Sequence, residues 1–74
     1  MDRVRFAVIG VGGFGRKRID AIMRSNRADL TYVVDINRDI AEDIRKSTGA
    51  EVVSFEELLS KKNYDVAIVA VPNN

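Results

Sequence analysis

Neither cysteine nor histidine occurs in the chain. The first absence excludes disulfides and thiolate nucleophiles, and the second removes the commonest metal ligand and the side chain most used as a general base near neutral pH. Long hydrophobic runs are missing too. The longest, Val66 to Val71, falls far short of the roughly 20 apolar residues that span a bilayer, and the apolar stretch after Met1-Asp2-Arg3 is too short for a signal peptide. Charge of one sign is also not in excess: 12 Lys and Arg against 11 Asp and Glu leave a net charge of +1. That lacks the basic surplus that non-specific binding to nucleic acid or anionic membrane requires. The expectation is a soluble cytoplasmic chain with no nucleic-acid partner, no membrane partner, no metal site and no catalytic residue of its own.

What is present is a globular composition, with 46% hydrophobic and 31% charged residues in 74 positions. This amounts to one small domain of marginal stability, because a chain of this size buries only about 60% of its unfolded surface. Val4 to Ile9 reads as a strand that stops at Gly10. Ile19, Ile22 and Met23 then recur at helical spacing among charged residues, which predicts an amphipathic helix over 13–25 with Asn26 as its stop. Leu30 to Val34 is a second strand, ending in Asp35. Asn37 is placed to cap a helix over 38–48 whose Ile40, Ala41 and Ile44 share a face, and Gly49 to end it.

Val52-Val53 is a short third strand. Ser54 and Glu57 have capping-box spacing for a helix over 55–61, with Leu58 and Leu59 as its apolar side. Asp65 leads into the continuously apolar strand 66–71. The order is βαβαβαβ, an α/β chain, and the alternation predicts a partial doubly wound parallel sheet of the Rossmann kind with strand order 3-2-1-4.

Gly10-Val11-Gly12-Gly13-Phe14-Gly15 fits G-x-G-x-x-G. That pattern is weak alone, but here it follows a predicted strand and opens a predicted helix, as a phosphate-binding turn requires. Gly10 permits the tight turn, Gly12 lets backbone approach a pyrophosphate, and Gly15 lets helix and strand pack closely. Gly13 and Phe14 complete the turn, Phe14 either flanking a ligand through its backbone or stapling the helix.

Asp35, 20 positions beyond Gly15, stands where a carboxylate accepts hydrogen bonds from the ribose hydroxyls of a dinucleotide and repels a 2′-phosphate. NAD is therefore favoured over NADP, although Arg38 could stack on adenine or partly compensate such a phosphate. Arg16, Lys17 and Arg18 oppose the helix dipole and read as solvated cations. Glu42, Asp43, Glu51, Glu56 and Glu57 have no pattern for metal or acid–base work and read as a solvated face or caps.

On these residues the chain resembles the N-terminal part of the Gfo/Idh/MocA oxidoreductases. The likeness rests on Val8 to Gly15, on Val33-Val34-Asp35 with Arg38, on Ser54 to Leu59 and on Asp65 to Asn73. It implies hydride transfer between NAD(P) and a sugar- or polyol-type carbonyl or alcohol. It also implies that Val71, Pro72 and Asn73 line the nicotinamide ribose, although Val71 stands where that family often has Thr and Arg18 where it often has His. Residues 1–74 correspond to the front of the dinucleotide-binding domain, without the substrate domain or its catalytic lysine, so the chain alone is expected to bind nucleotide without catalysis.

Two other classes compete. One is a non-catalytic NAD-sensing or structural module. The other is an S-adenosylmethionine-dependent methyltransferase fragment, which Ile9 before the first glycine and Phe14 in place of a third closely spaced one both disfavour. The apolar strand 66–71, left as a sheet edge, is expected to pair with a second copy in a homodimer.

Overall fold

Val4, Phe6, Val8 and Ile9 carry the stiff or bulky side chains that suit an extended, pleated backbone. In the computed structural model, which describes residues 3–10 and 12–70, and the backbone alone at Gly13 and Phe14, they form strand β1 (Val4–Ile9). There follow α1 (Gly13–Arg24), β2 (Ala28–Val34), α2 (Arg38–Thr48), β3 (Glu51–Val52), α3 (Phe55–Ser60) and β4 (Val66–Val69). The strands make one sheet in the order β3-β2-β1-β4, and its three pairings are parallel. The expected fold class and strand order are therefore observed.

Element ends differ by a residue or two where local chemistry decides them. Helix α1 stops at Arg24, and Ser25, in extended conformation, donates its N–H to the Ile22 carbonyl. Asn26, expected as the stop, lies in the turn beyond. Gly49 ends α2 with φ 80°, a left-handed conformation that costs a glycine little. Strand β2 starts earlier than its apolar run, at Ala28, because the Val4 N–H donates to the Arg27 carbonyl and pairing begins there. Val71, the last residue of the expected fourth strand, lies outside the described residues.

Pairing of β1 with β2 shifts register once: Phe6 opposes Leu30, but Ala7 opposes Tyr32, so Thr31 is an extra residue on β2. Such a bulge reverses the side-chain parity of everything beyond it. Two cores result. On one face Val8 and Val33 pack with Ile19 and Ile22 of α1 and with Ile44 of α2, and Leu30 joins them from before the shift. On the other face Ala7, Tyr32 and Val34 pack with Val53 and with Leu58 of α3. Without the extra residue Leu30 and Tyr32 would share a face. Tyr64 completes the second core, its ring edge-on to Tyr32 at 6.0 Å between centroids.

Burial departs from the sequence reading at two apolar positions, Met23 and Leu59. Met23 is half exposed and Leu59 is 67% exposed, whereas Leu58 is 1% exposed; the short α3 turns a single leucine into the core. Strand β4 is an edge, with Val69 65% exposed. Lys61 lies 5.8 Å above the Tyr32 ring centroid and 3.6 Å from Glu51. Arg5 and Asp65 clamp β1 to the start of β4: the Arg5 backbone N–H donates to Asp65 Oδ2 at 2.9 Å, and its guanidinium reaches Oδ1 at 3.1 Å. That pairing raises the Arg5 pKa and lowers the Asp65 pKa, through the hydrogen bonds first.

Leu58→Ala is expected to cost about 2–5 kcal/mol of stability, the range for emptying a buried leucine site. Leu59→Ala should cost under about 0.5 kcal/mol, as surface changes do. Urea unfolding of the two variants, followed by circular dichroism, distinguishes them.

Candidate functional site

Three hydrogen bonds draw the carboxyl ends of the strands together. The Gly10 N–H donates to the Val34 carbonyl at 2.7 Å, the Ala70 N–H to the Ile9 carbonyl at 2.8 Å, and the Val53 N–H to the Val33 carbonyl at 3.0 Å. The glycine turn after β1, Asp35 after β2 and the segment after β4 thus share one rim, the end of an open α/β sheet where ligands bind.

The turn from β1 into α1 depends on two glycines. Gly10 has φ 86°, a conformation that side-chain-bearing residues rarely adopt. A Cβ on Gly15 would collide with the carbonyl oxygen of Gly10 and come within 3.6 Å of Ala70 Cβ. The first turn of α1 is therefore pressed directly onto the end of β1. A Cβ on Gly12 would meet nothing within 4 Å. Packing among the described residues gives no reason for glycine at position 12, whereas an approaching ligand would.

The three helix starts differ in a way that matters for an anion. Asn37 caps α2 by accepting from the Asp39 and Ile40 N–H groups. Ser54 and Glu57 make a complete capping box on α3, and the Ser54 N–H holds the Glu57 carboxyl below its usual range. At α1 the N-cap is Gly12, with no side-chain cap and no acid in the first turn. The first N–H groups of a helix have no intrahelical partner. They lie at the positive end of the dipole, where phosphate is favoured. Arg16, Lys17 and Arg18 are exposed, as expected.

Asp35 is half-buried, and its Oδ1 accepts the Asn37 N–H at 2.8 Å. Beside it an open cleft of about 670 Å³ runs between the ends of β2 and β3, lined by Val34, Asp35, Ile36, Arg38, Ser54 and Phe55 among others. Arg38 is exposed at this cleft. So are two residues the sequence reading passed over as site members, Ile36 and Phe55, which are 101% and 53% exposed. Ile36 carried a signal: a large apolar residue between an acid and a helix cap, in a loop otherwise expected to be polar. Glu42, also on the cleft, is held below its usual pKa by its hydrogen bond from Arg45.

Gly10, Gly12, Gly15, Asp35 and Arg38 thus stand on one rim. The side chain of Phe14 and all of Val71, Pro72 and Asn73 lie outside the described residues. Among the described residues no group of His, Cys, Asp or Glu side chains could hold a metal ion, and no helix is long and apolar enough to cross a membrane.

A parallel 3-2-1-4 sheet, a glycine turn pressed onto an uncapped helix and an acid after the second strand define a dinucleotide-binding Rossmann segment. The model of the oxidoreductase family with an NAD-binding Rossmann fold, Gfo/Idh/MocA, matches residues 4–74, and the chain belongs to that family. An uncharacterized oxidoreductase of Streptococcus pneumoniae serotype 4 (strain ATCC BAA-334 / TIGR4) is 38% identical over 72 residues, covering 96% of this chain and 19% of that protein. Among solved structures, GenD2 from gentamicin A biosynthesis, in complex with NAD, superposes with a TM-score of 0.89 at 29% identity, covering 97% of this chain and 21% of its own. The WlbA dehydrogenase of Chromobacterium violaceum, in complex with NADH and UDP-GlcNAcA, gives 0.88 at 27% identity, covering 97% and 21%. The chain therefore spans about a fifth of the length of these relatives.

The two glycines should separate on substitution. Gly15→Ala is expected to lose about 3 kcal/mol of stability, the upper end of overpacking, together with dinucleotide binding. Gly12→Ala should stay within about 1 kcal/mol of the parent, the scale of a poorer N-cap, yet bind NADH at least about tenfold more weakly. Thermal unfolding and fluorescence titration on the same samples check both.

Proposed function

We propose that these residues hold the ADP portion of NAD for a sugar- or polyol-type dehydrogenase. The observation that carries the reading is the start of α1, the helix that lacks a side-chain cap where α2 and α3 have one, set behind a glycine that packing among the described residues does not require. In this reading the pyrophosphate lies over Gly10 to Gly15, including Gly13 and Phe14, and accepts hydrogen bonds from first-turn amides. Asp35 accepts from the ribose hydroxyls and disfavours a 2′-phosphate, and Arg38 lies against adenine. Val71, Pro72 and Asn73 line the nicotinamide ribose, a role drawn from the family likeness.

The nicotinamide, when bound, supplies the carbon that gives or takes the hydride. The reaction of the whole protein is then transfer between that carbon and a carbonyl or secondary alcohol. The UDP-GlcNAcA present with NADH in the WlbA complex and the place of GenD2 in gentamicin A biosynthesis support a sugar-type substrate. A cytoplasmic location belongs to the same proposal.

Calorimetric titration with NADH and NADPH tests the site. NADH is expected to bind more tightly, and Asp35→Ala to weaken it at least about tenfold, the scale of hydrogen bonds to a charged group. Equal binding of both cofactors, unmoved by the substitution, would sink the assigned role of Asp35.

Homodimerisation through the strand at 66–71 is proposed for these 74 residues in isolation, since β4 is an edge with exposed Val66 and Val69. Sedimentation over a concentration series should reveal association that Val69→Lys abolishes. A monomer at every concentration would overturn this proposal.

A further inference from the structure

We infer that Asn37 is a positioning residue for cofactor choice, acting through Asp35 without itself touching the dinucleotide. The inference rests on the reading of Asp35 as the ribose acceptor. Two links join the carboxylate to helix α2. The Asn37 N–H donates to Asp35 Oδ1 at 2.8 Å. The Asn37 side-chain oxygen accepts from the Asp39 and Ile40 N–H groups at 3.1 and 3.2 Å. The side chain thus ties residue 37 to the first turn of α2, and the tied residue offers its own amide to the acid.

Helix α2 is a rigid reference. Ala41 and Ile44 are 1% and 3% exposed, and Ile44 belongs to the core that also holds Val8 and Val33 at the centre of the sheet. A carboxylate anchored to such an element is oriented before ligand arrives, and less ordering cost is left for binding. The side chain of Ile36 between them, apolar and fully exposed, makes no such tie. Cutting the side-chain tie leaves the negative charge near the ribose but loosens one of the bonds that direct it. Affinity for NADH, whose ribose hydroxyls need a directed acceptor, should then fall more than affinity for NADPH, which the charge repels whatever its direction.

The test compares Asn37→Ala, Asn37→Gly and Asn37→Ser with the parent and with Ile44→Val, a variant that lowers stability by the loss of one methyl group while α2 keeps its seat in the core. Circular dichroism establishes folding, and NADH and NADPH titrations give the affinity ratio. Asn37→Gly keeps a tolerated helix start if Asn37→Ala unfolds, and Asn37→Ser restores a capping oxygen. The expected result is a loss of about fivefold in NADH affinity for Ala and Gly, on the scale of a lost cap. The NADH to NADPH ratio should fall with it, Ser should restore the ratio to near the parent value, and Ile44→Val should leave it unmoved. A ratio unchanged in Ala and Gly, or moved equally by Ile44→Val, overturns the inference. Asp35→Ala separates the two levels. If it leaves NADH binding intact, the reading of Asp35 fails and takes this inference with it. If it weakens NADH while the Asn37 variants do not, the inference about Asn37 alone fails.

Discussion

The constraint from which the rest follows is the contact between Gly15 and the Gly10 carbonyl. Strand β1 lies between β2 and β4, so the chain leaving it must rise and become a helix within a few residues while staying close to the sheet. A Cβ at position 15 would occupy the carbonyl's space, and a side chain at position 10 would resist φ 86°. Meeting that demand points the first turn of α1 at the rim where β1, β2 and β4 end. The cap position itself is a third glycine, Gly12, which brings no side-chain oxygen to the helix's first amides and which the Gly10–Gly15 contact does not demand.

Around that contact the sheet is stitched so that its carboxyl rim is continuous. The bond from Gly10 to Val34 sets the glycine turn beside the acid of the next strand, and the bond from Ala70 to Ile9 brings the end of β4 to the same place. The extra residue at Thr31 has a share in this. It reverses parity midway along β2, so Val33 faces α1 and α2 while Tyr32 and Val34 face α3. Both cores are thereby supplied near the rim, where Asp35 leaves the sheet.

Helix termini divide the labour. Asn37, Ser54 and Glu57 close the starts of α2 and α3 with protein atoms and fix the loops beside the cleft. The start of α1 has Gly12 as its N-cap and no side-chain cap. The Arg5–Asp65 clamp works at the far end of the sheet, pairing β1 with the start of β4 away from the rim.

The sequence by itself determined element types, strand order, capping residues and the glycine and acid positions, because each rests on local rules: period, φ preference, side-chain acceptors and motif spacing. Ser54 with Glu57, Asn37 and Gly49 were legible for that reason. Only the tertiary structure decided that Leu58 is buried and Leu59 is not, since a short helix alone does not say which of two adjacent leucines meets the sheet. It alone placed an extra residue at Thr31, because a bulge in a parallel pair depends on what the partner strand must reach. It alone set Phe55 beside Asp35, since residues from separate strand ends become neighbours only when the strands pair.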